Sequence, residues 1–382
     1  MKRTDVLVVG GGIAGAATAL YLARDGVSVR LIERASIGGL ASGANAGSLH
    51  AQIPHDPFRT LGAGWARTFV PAIRLFIASL ALWRGLEAEL GSDLEIGFGG
   101  GLLVGTTATE LREMEAKAAI ERDAGLSVQW LDGAALIGAA PYLASSALGG
   151  AFCPVEGKAN PLLVAPAYAR AAVEAGAIVE AHAGDASITR DGRDYVVDSG
   201  AGRHVARRLV IAAGAETGRL AAMLGANLAI EAFPIQVSVT EPTAPLVPHL
   251  VYCAGEKLTM KQTRAGSILI GGGWSARLDA GGRPVVDAHS LGANLEVAST
   301  MVPAIAGLGI VRSWAAHVNG TADWLPILGE LAGAPGAFIN YVPWMGFTGA
   351  PAASLAIAAM VQRRVPPMDV PFDAFVPGVS GG

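Results

Sequence analysis

The opening stretch to Glu33 constrains the fold more than any other part of the chain. Val6-Leu7-Val8-Val9 is a short unbroken apolar run, as in a strand buried on both faces of a parallel sheet. It enters Gly10-Gly11-Gly12-Ile13-Ala14-Gly15, a G-x-G-x-x-G, and Ala16 to Arg24 follows with good helix formers. Gly26 stops that helix, Val27 to Ile32 gives a second strand, and Glu33 closes the unit. Each part has a mechanical reason. Gly10 permits a tight turn, Gly12 lets the backbone approach a pyrophosphate, and Gly15 lets helix and strand pack closely. The helix start at Ile13 and Ala14 faces the phosphates, and Glu33 accepts ribose hydroxyls. Strand, glycines, helix, strand and acid in this order predict a dinucleotide site. Glu33 suits an adenosine ribose without a 2′-phosphate.

The residues after Glu33 separate FAD from NAD. An NAD enzyme continues with an amphipathic helix and a third strand, whereas here Arg34 leads into a run of small residues through Ala41, Ser42, Asn45, Ala46, Gly47, Ser48 and Leu49 to His50. Many backbone N–H groups with little side-chain bulk suit a second close pass along an extended pyrophosphate and flavin. The rest of the composition agrees with a globular enzyme. With 382 residues and 52% hydrophobic residues the chain has enough apolar material for about two domains. Its net charge of −4, from 28 basic and 32 acidic residues, offers no basic excess for a phosphate backbone, so no nucleic-acid partner is expected. Cys153 and Cys253 make neither a disulfide framework nor a thiolate metal site, and no metal is expected. Met1-Lys2-Arg3-Thr4-Asp5 runs straight into a strand without a signal peptide. The uncharged run Leu331 to Gln362 is interrupted by glycines and prolines, which reads as buried core rather than a transmembrane segment. The expected location is cytoplasmic, with a peripheral position at the inner membrane, through an electron acceptor, as the alternative.

At this point the sequence resembles the D-amino-acid oxidase superfamily of FAD-dependent amine oxidoreductases. Ala41-Ser42-Gly43-Ala44-Asn45-Ala46-Gly47 is similar to its second FAD-contacting loop, and Gly157-Lys158-Ala159-Asn160-Pro161 to its lead-in to a helix. Asp185 and Ala186 sit where that family passes backbone near the adenine. Arg208 to Ala215, with Ala213 and Gly214, resembles the strand and turn that return to the FAD. Asp323-Trp324-Leu325-Pro326-Ile327-Leu328-Gly329 is like D-x-x-P-x-x-G, and Gly346-Phe347-Thr348-Gly349-Ala350-Pro351 is like the loop and helix start beside the isoalloxazine. The stretch Leu258 to Trp274 is similar to one branch, the flavin (beta) subunits of opine, hydroxyproline and proline dehydrogenases.

The resemblance implies an α/β (α+β) architecture: a discontinuous Rossmann-like FAD-binding domain (1–90, 146–228 and 316–382) and a substrate domain on a mixed or antiparallel sheet (91–145 and 229–315). Phe98 to Val104, Phe233 to Thr240, Lys257 to Gln262 and Ser267 to Ile270 read as strands, and Glu110 to Ala124 and Asn294 to Met301 as helices. A helix beginning at Pro351 aims its free N–H groups at the flavin, where they stabilise the charge of the reduced form. The implied reaction is oxidation of the CH–NH bond of an amino acid or secondary amine of opine, hydroxyproline, proline or D-amino-acid type, by hydride transfer to flavin N5. The chain is then one subunit of a hetero-oligomeric, dye-linked dehydrogenase. A self-sufficient glycine or sarcosine oxidase releasing hydrogen peroxide, a non-catalytic flavin-binding partner subunit and a Rossmann NAD dehydrogenase are the rivals.

Substrate contacts rest on fewer residues. Tyr252, His50 and His317 are the candidates, each weighed against a satisfied core side chain. Val318 stands where the family's W-a-G-l-R-P has the arginine that clamps a substrate carboxylate, so His317, Arg312, Lys261 or a partner must supply the counter-charge, with His55 and Arg59 as further candidates. No cysteine follows Cys253, so the FAD is expected to be non-covalent. The stretch Ser267 to Gly271 lacks the lysine associated with oxygen activation in monomeric sarcosine oxidase. No histidine stands at 159–163 to tether an FMN, although an FMN at a subunit interface stays open.

Overall fold

In a computed structural model that describes residues 2–377, the apolar run at Val6 falls in strand Lys2–Val9. This strand lies between Gly202–Ile211 and Val29–Ile32, parallel to both. Val6, Leu7 and Val8 have no exposed surface, which is why an unbroken rather than alternating pattern is stable there. The sheet continues to Ala337–Tyr341 and Ile327–Glu330 on one side and to Ile178–Glu180 on the other. A hairpin, Ser187–Asp191 with Asp194–Ser199, adds antiparallel to the first half of Gly202–Ile211, whose end pairs with Ala337–Tyr341. Helix Ile13–Arg24 packs between Pro161–Glu174 and Gly346–Val361. The uncharged run expected to be core is core: Ala337–Tyr341 is buried throughout and Gly346–Val361 nearly so.

A second sheet has the order Ile310–Gly320, Glu231–Pro242, Ser267–Gly271, Thr259–Gln262, Leu250–Cys253, Gly101–Gly105, Gly149–Cys153, Gln129–Asp132. All its neighbours are antiparallel except Leu250–Cys253 with Gly101–Gly105. Two boundaries expected from sequence shift. Gly149–Cys153, assigned to the FAD-binding part, pairs with Gly101–Gly105 of the second sheet, and Ile310–Gly320 carries that sheet past 315. Helices Ala108–Asp123 and Ala288–Met301 fall where they were expected, the second beginning six residues early behind an Asp287 cap that accepts from the Ser290 N–H. Among the described residues no single helix is long and apolar enough to cross a membrane. The consecutive pair His55–Thr68 and Val70–Leu90 reaches that length and composition only across an 82° bend.

Candidate active site

The glycines of the opening unit form a cradle that side chains would fill. Gly10 has φ +110°, and a Cβ built on it would overlap the carbonyl of Ala212, while one on Gly15 would overlap the carbonyl of Gly10. A Cβ on Gly12 would come 2.8 Å from the Ser42 hydroxyl. Ser42 Oγ accepts from the Ile13 N–H at 3.0 Å, so the second loop touches the first at the helix start. The Ala14 and Gly15 N–H groups lie in the first turn and have no intrahelical acceptor. Glu33 is buried and accepts from the N–H groups of Gly11 at 2.6 Å and Ala35 at 2.8 Å. A glycine cradle with free N–H groups, ending at a buried carboxylate, fits the pyrophosphate and ribose of a dinucleotide.

The other expected cofactor residues collect around it. Gly184 N–H donates to Arg34 O at 3.1 Å, and Asp185 lies 3.8 Å from the Arg34 guanidinium, with Ala186 next in line. Ala213 and Gly214 follow the end of Gly202–Ile211 directly behind Gly10. Ala41–Ala44 makes one short helical turn. Beyond it the Asn45 side chain accepts from the Gly47 N–H at 2.6 Å, spanning Ala46, and Gly47 at φ +74° has no room for a side chain against Ala159. Ser48–Leu49 pairs with Gly157–Lys158. Three interactions tie this loop to the remote parts of the chain. The Ala44 carbonyl accepts from Trp314 Nε1 at 2.8 Å, the His50 N–H donates to Thr348 Oγ1 at 2.9 Å, and the Lys261 ammonium donates to Ser48 Oγ.

The C-terminal helix corrects one expectation. It begins at Gly346, not at Pro351. Proline inside a helix removes a donor and crowds the preceding turn, and here Ser79 repairs the break. Its hydroxyl donates to Thr348 O at 2.6 Å and accepts from the Ala352 N–H at 3.3 Å, while Trp83 Nε1 also donates to Thr348 O at 2.9 Å. The free N–H groups are therefore those of Gly346, Phe347 and Thr348, one turn nearer the His50 loop. Gly349 sits where a Cβ would come 3.1 Å from Phe76 and Val342.

Of the three candidate substrate residues, two are in contact. His50 Nδ1 lies 2.5 Å from the Tyr252 hydroxyl, which lies 3.0 Å from Glu156 Oε2. His317 stands opposite Pro234 on the outer strand and joins no hydrogen bond or ion pair among the described residues. Burial, aided by the Lys261 charge, pushes His50 down to about 3, so its ring is neutral at ordinary pH. Lys261 is itself pushed well below the usual lysine range by burial, with Lys158 adding to the effect. Of the other proposed counter-charges, Arg59 is held by Glu113 and the carbonyls of Ala254 and Gly255, and Arg312 is exposed over Trp314. Val318 pairs with Phe233, which stacks on Trp344, and Trp344 stacks on Trp324. The place of the missing arginine is thus aromatic and apolar.

Sequence reasoning missed the acids beneath His50. Buried Glu156 accepts from the N–H groups of Ala51 and Gln52, and buried Glu121 accepts from the Ile53 N–H and the Lys117 ammonium. Burial pushes both carboxyls up, opposed at Glu156 by its backbone and side-chain hydrogen bonds and at Glu121 first by Lys117. The one signal in the sequence was the acid directly before Gly157-Lys158-Ala159-Asn160-Pro161.

His55 nearby gives a pH test. Its side chain is 7% exposed, neither ring nitrogen has a hydrogen-bond partner among the described residues, and burial with Lys117 and Arg59 pushes it to about 3. The unfolded chain takes up this proton near 6.5 and the folded chain does not. Stability is therefore lost as pH falls through that window, by about 1.4 kcal/mol per unit for this residue. Denaturant melts from about pH 6.5 to about pH 4.5 are expected to show a shallower acid loss in His55→Phe than in the parent, and equal slopes refute the assignment.

Comparison with known proteins agrees with this geometry. The profile of the FAD dependent oxidoreductase family, DAO, matches residues 5–360. A glycine oxidase of Geobacillus kaustophilus is 30% identical over 379 residues, covering 96% of this chain and 95% of that protein. The B subunit of an opine oxidase from Rhizobium meliloti is 27% identical, covering 89% of this chain and 88% of that protein. The crystal structure of glycine oxidase from Geobacillus kaustophilus matches with a TM-score of 0.85 at 28% identity over 100% of both chains. L-proline dehydrogenase from P. horikoshii, at 22% identity, shares the fold with a TM-score of 0.85, covering 98% of this chain and 97% of that one. With the glycine cradle, the buried Glu33 and the remote loops converging on one site, the chain belongs to the DAO family of FAD-dependent oxidoreductases and is an FAD-dependent amine oxidoreductase.

Proposed function

We propose that the chain oxidises the C–N bond of an amino acid or opine-type secondary amine as the flavin subunit of a dehydrogenase whose electron acceptor is not oxygen. The observation that carries this is the meeting of His50 and Tyr252 with the start of the C-terminal helix, through the His50 N–H on Thr348. Bound FAD supplies the acceptor for the hydride that leaves the substrate carbon as C–N becomes C=N. The chain's own residues position the substrate. Neutral His50 offers an acceptor to an amine N–H, and Tyr252 holds the ring in place. The N–H groups of Gly346, Phe347 and Thr348 present the positive end of a helix, and the pocket wall around Phe233, Val318 and Trp344 receives apolar carbon rather than a carboxylate. Lys261, buried beside Ser48 and held below the usual lysine range by that burial, is the remaining group that a substrate carboxylate would pair with and so keep charged. Two features support a subunit with another acceptor. Residues 267–271 hold no lysine, and the relatives include the B subunit of opine oxidase and the beta subunit of sarcosine oxidase.

A second reading, a self-sufficient oxidase, is favoured by two observations. A buried lysine lies on the adjacent strand after all, at Lys261, and a glycine oxidase matches over nearly its whole length. An anaerobic panel of amines and amino acids separates the readings by bleaching of the flavin. Bleaching followed by turnover with artificial dyes but not with oxygen supports the dehydrogenase, and hydrogen peroxide release with oxygen alone supports the oxidase. No bleaching by any amine, even with genomic neighbours co-expressed, leaves a flavin-binding scaffold. Gly346→Pro removes one of the helix N–H groups, at a first helical position with open space around it, and is expected to lower the potential of the bound flavin by about 10–30 mV, the equivalent of one hydrogen bond of about 0.5–1.5 kcal/mol in a two-electron couple. Dye-equilibrium titration reads this, and an unchanged potential at full occupancy argues against the helix N-terminus acting there.

A further inference from the structure

The Tyr252 hydroxyl has one proton and two polar neighbours, His50 Nδ1 at 2.5 Å and Glu156 Oε2 at 3.0 Å. It donates to one and accepts from the other, so the state of Glu156 decides which ring nitrogen of His50 carries hydrogen. Glu156 has no exposed surface. Its Oε1 accepts from the backbone N–H groups of Ala51 at 2.5 Å and Gln52 at 2.7 Å, and its Oε2 lies 3.1 Å from Gln52 Nε2. The orientation of the Gln52 amide is set from its other end. The Lys117 ammonium has only donors and sits 3.4 Å from Gln52 Oε1, which turns the NH2 toward Glu156. Three N–H donors that cannot accept therefore converge on this carboxyl, an arrangement that matches an acceptor-only carboxylate. The charged neighbours beyond Gln52, Lys117 and Glu121, are buried and paired with each other.

We propose that Glu156 is an ionised positioning residue which takes the Tyr252 proton in a hydrogen bond, so that Tyr252 accepts from His50 Nδ1–H and the Nε2 lone pair is presented for a substrate amine. Nε2 makes no hydrogen bond among the described residues and is not a fully buried atom, on a ring that is only half-buried, so it is left accessible. The arrangement follows the rule that a hydrogen bond at one imidazole nitrogen sets the role of the other. Its meaning for the reaction rests on the role proposed above for His50, but the proton arrangement does not.

The test is nitrogen NMR of the FAD-loaded enzyme labelled with 15N-histidine, with His50 assigned by its loss in His50→Gln. The parent is expected to show hydrogen on Nδ1 and a lone pair on Nε2. In Glu156→Gln the carboxamide oxygen is retained by the Ala51 and Gln52 N–H groups, and its NH2 takes the place of Oε2, facing Tyr252 and giving up the hydrogen bond from the Gln52 amide. Tyr252 then donates to His50 Nδ1, and the ring proton moves to Nε2. A parent ring protonated on Nε2, or an unchanged tautomer in Glu156→Gln, overturns the proposal. If that variant does not fold, Tyr252→Phe keeps every backbone bond to Glu156 and is expected to leave His50 a mixture of tautomers; a ring still fixed on Nδ1–H overturns it equally. Anaerobic bleaching is expected to slow about tenfold or more in Glu156→Gln. A switched tautomer with undiminished bleaching upholds the arrangement and refutes instead the role of His50 in the reaction.

Discussion

Gly15→Val is expected to yield protein purified without its yellow colour. A Cβ at position 15 overlaps the Gly10 carbonyl, a backbone atom that cannot swing aside, and Gly10 is in turn pressed against Ala212 at φ +110°. The first helix must move away from the strand, and its free N–H groups move with it. Overpacking of about 1–3 kcal/mol weakens cofactor binding about fivefold to 150-fold if all of it falls on the loaded state. Flavin absorbance relative to protein absorbance reads the outcome, and parent-level occupancy contradicts the assigned phosphate cradle. Gly85→Ala is the control. Gly85 is an exposed helix residue with nothing near its missing Cβ, so alanine there is expected to add about 0.5–1 kcal/mol of stability and leave the colour alone.

Lys117→Met is expected to cost about 3–5 kcal/mol, because it leaves the Glu121 carboxylate buried without its cation. Lys117 and Glu121 are both without exposed surface. In the variant, burial, aided by Glu156 and opposed only by the Ile53 N–H, keeps the folded-state pKa of Glu121 above the unfolded one. The folded chain then binds more protons than the unfolded chain between the two values, so stability falls as pH rises through them. Adding Glu121→Gln keeps an acceptor for the Ile53 N–H and removes the orphaned charge, and is expected to recover most of the loss. Denaturant melts of the single and double variants at two pH values check this. A single variant as stable as the parent refutes the role of the pair.

The local unit at the N-terminus was legible because every interaction it needs lies within a few turns of chain: strand, tight turn, helix and acid come one after another. The C-terminal helix was legible as a helix but not in its start. Pro351 reads as a first helical residue, and the hydroxyl that lets it sit inside comes from Ser79, more than 260 positions earlier. The contact of His50 with Tyr252 joined two residues singled out separately, yet the acid that holds them escaped notice. Glu156 reaches across about a hundred residues in either direction, to Gln52 and to Tyr252. Lys117 and Glu121, spaced i,i+4, read like an ordinary solvated pair; their burial is decided by the His50–Ile53 backbone laid over them.

The Ser79 wedge bears on the order in which the molecule can be made. The helix carrying it is complete long before the ribosome reaches Gly346, so a nascent chain holds the first helix, both loops and the Ser79 hydroxyl while the segment that seals them is still missing. Final sealing waits for nearly the whole polypeptide, and a large, non-local closure of this kind is slow.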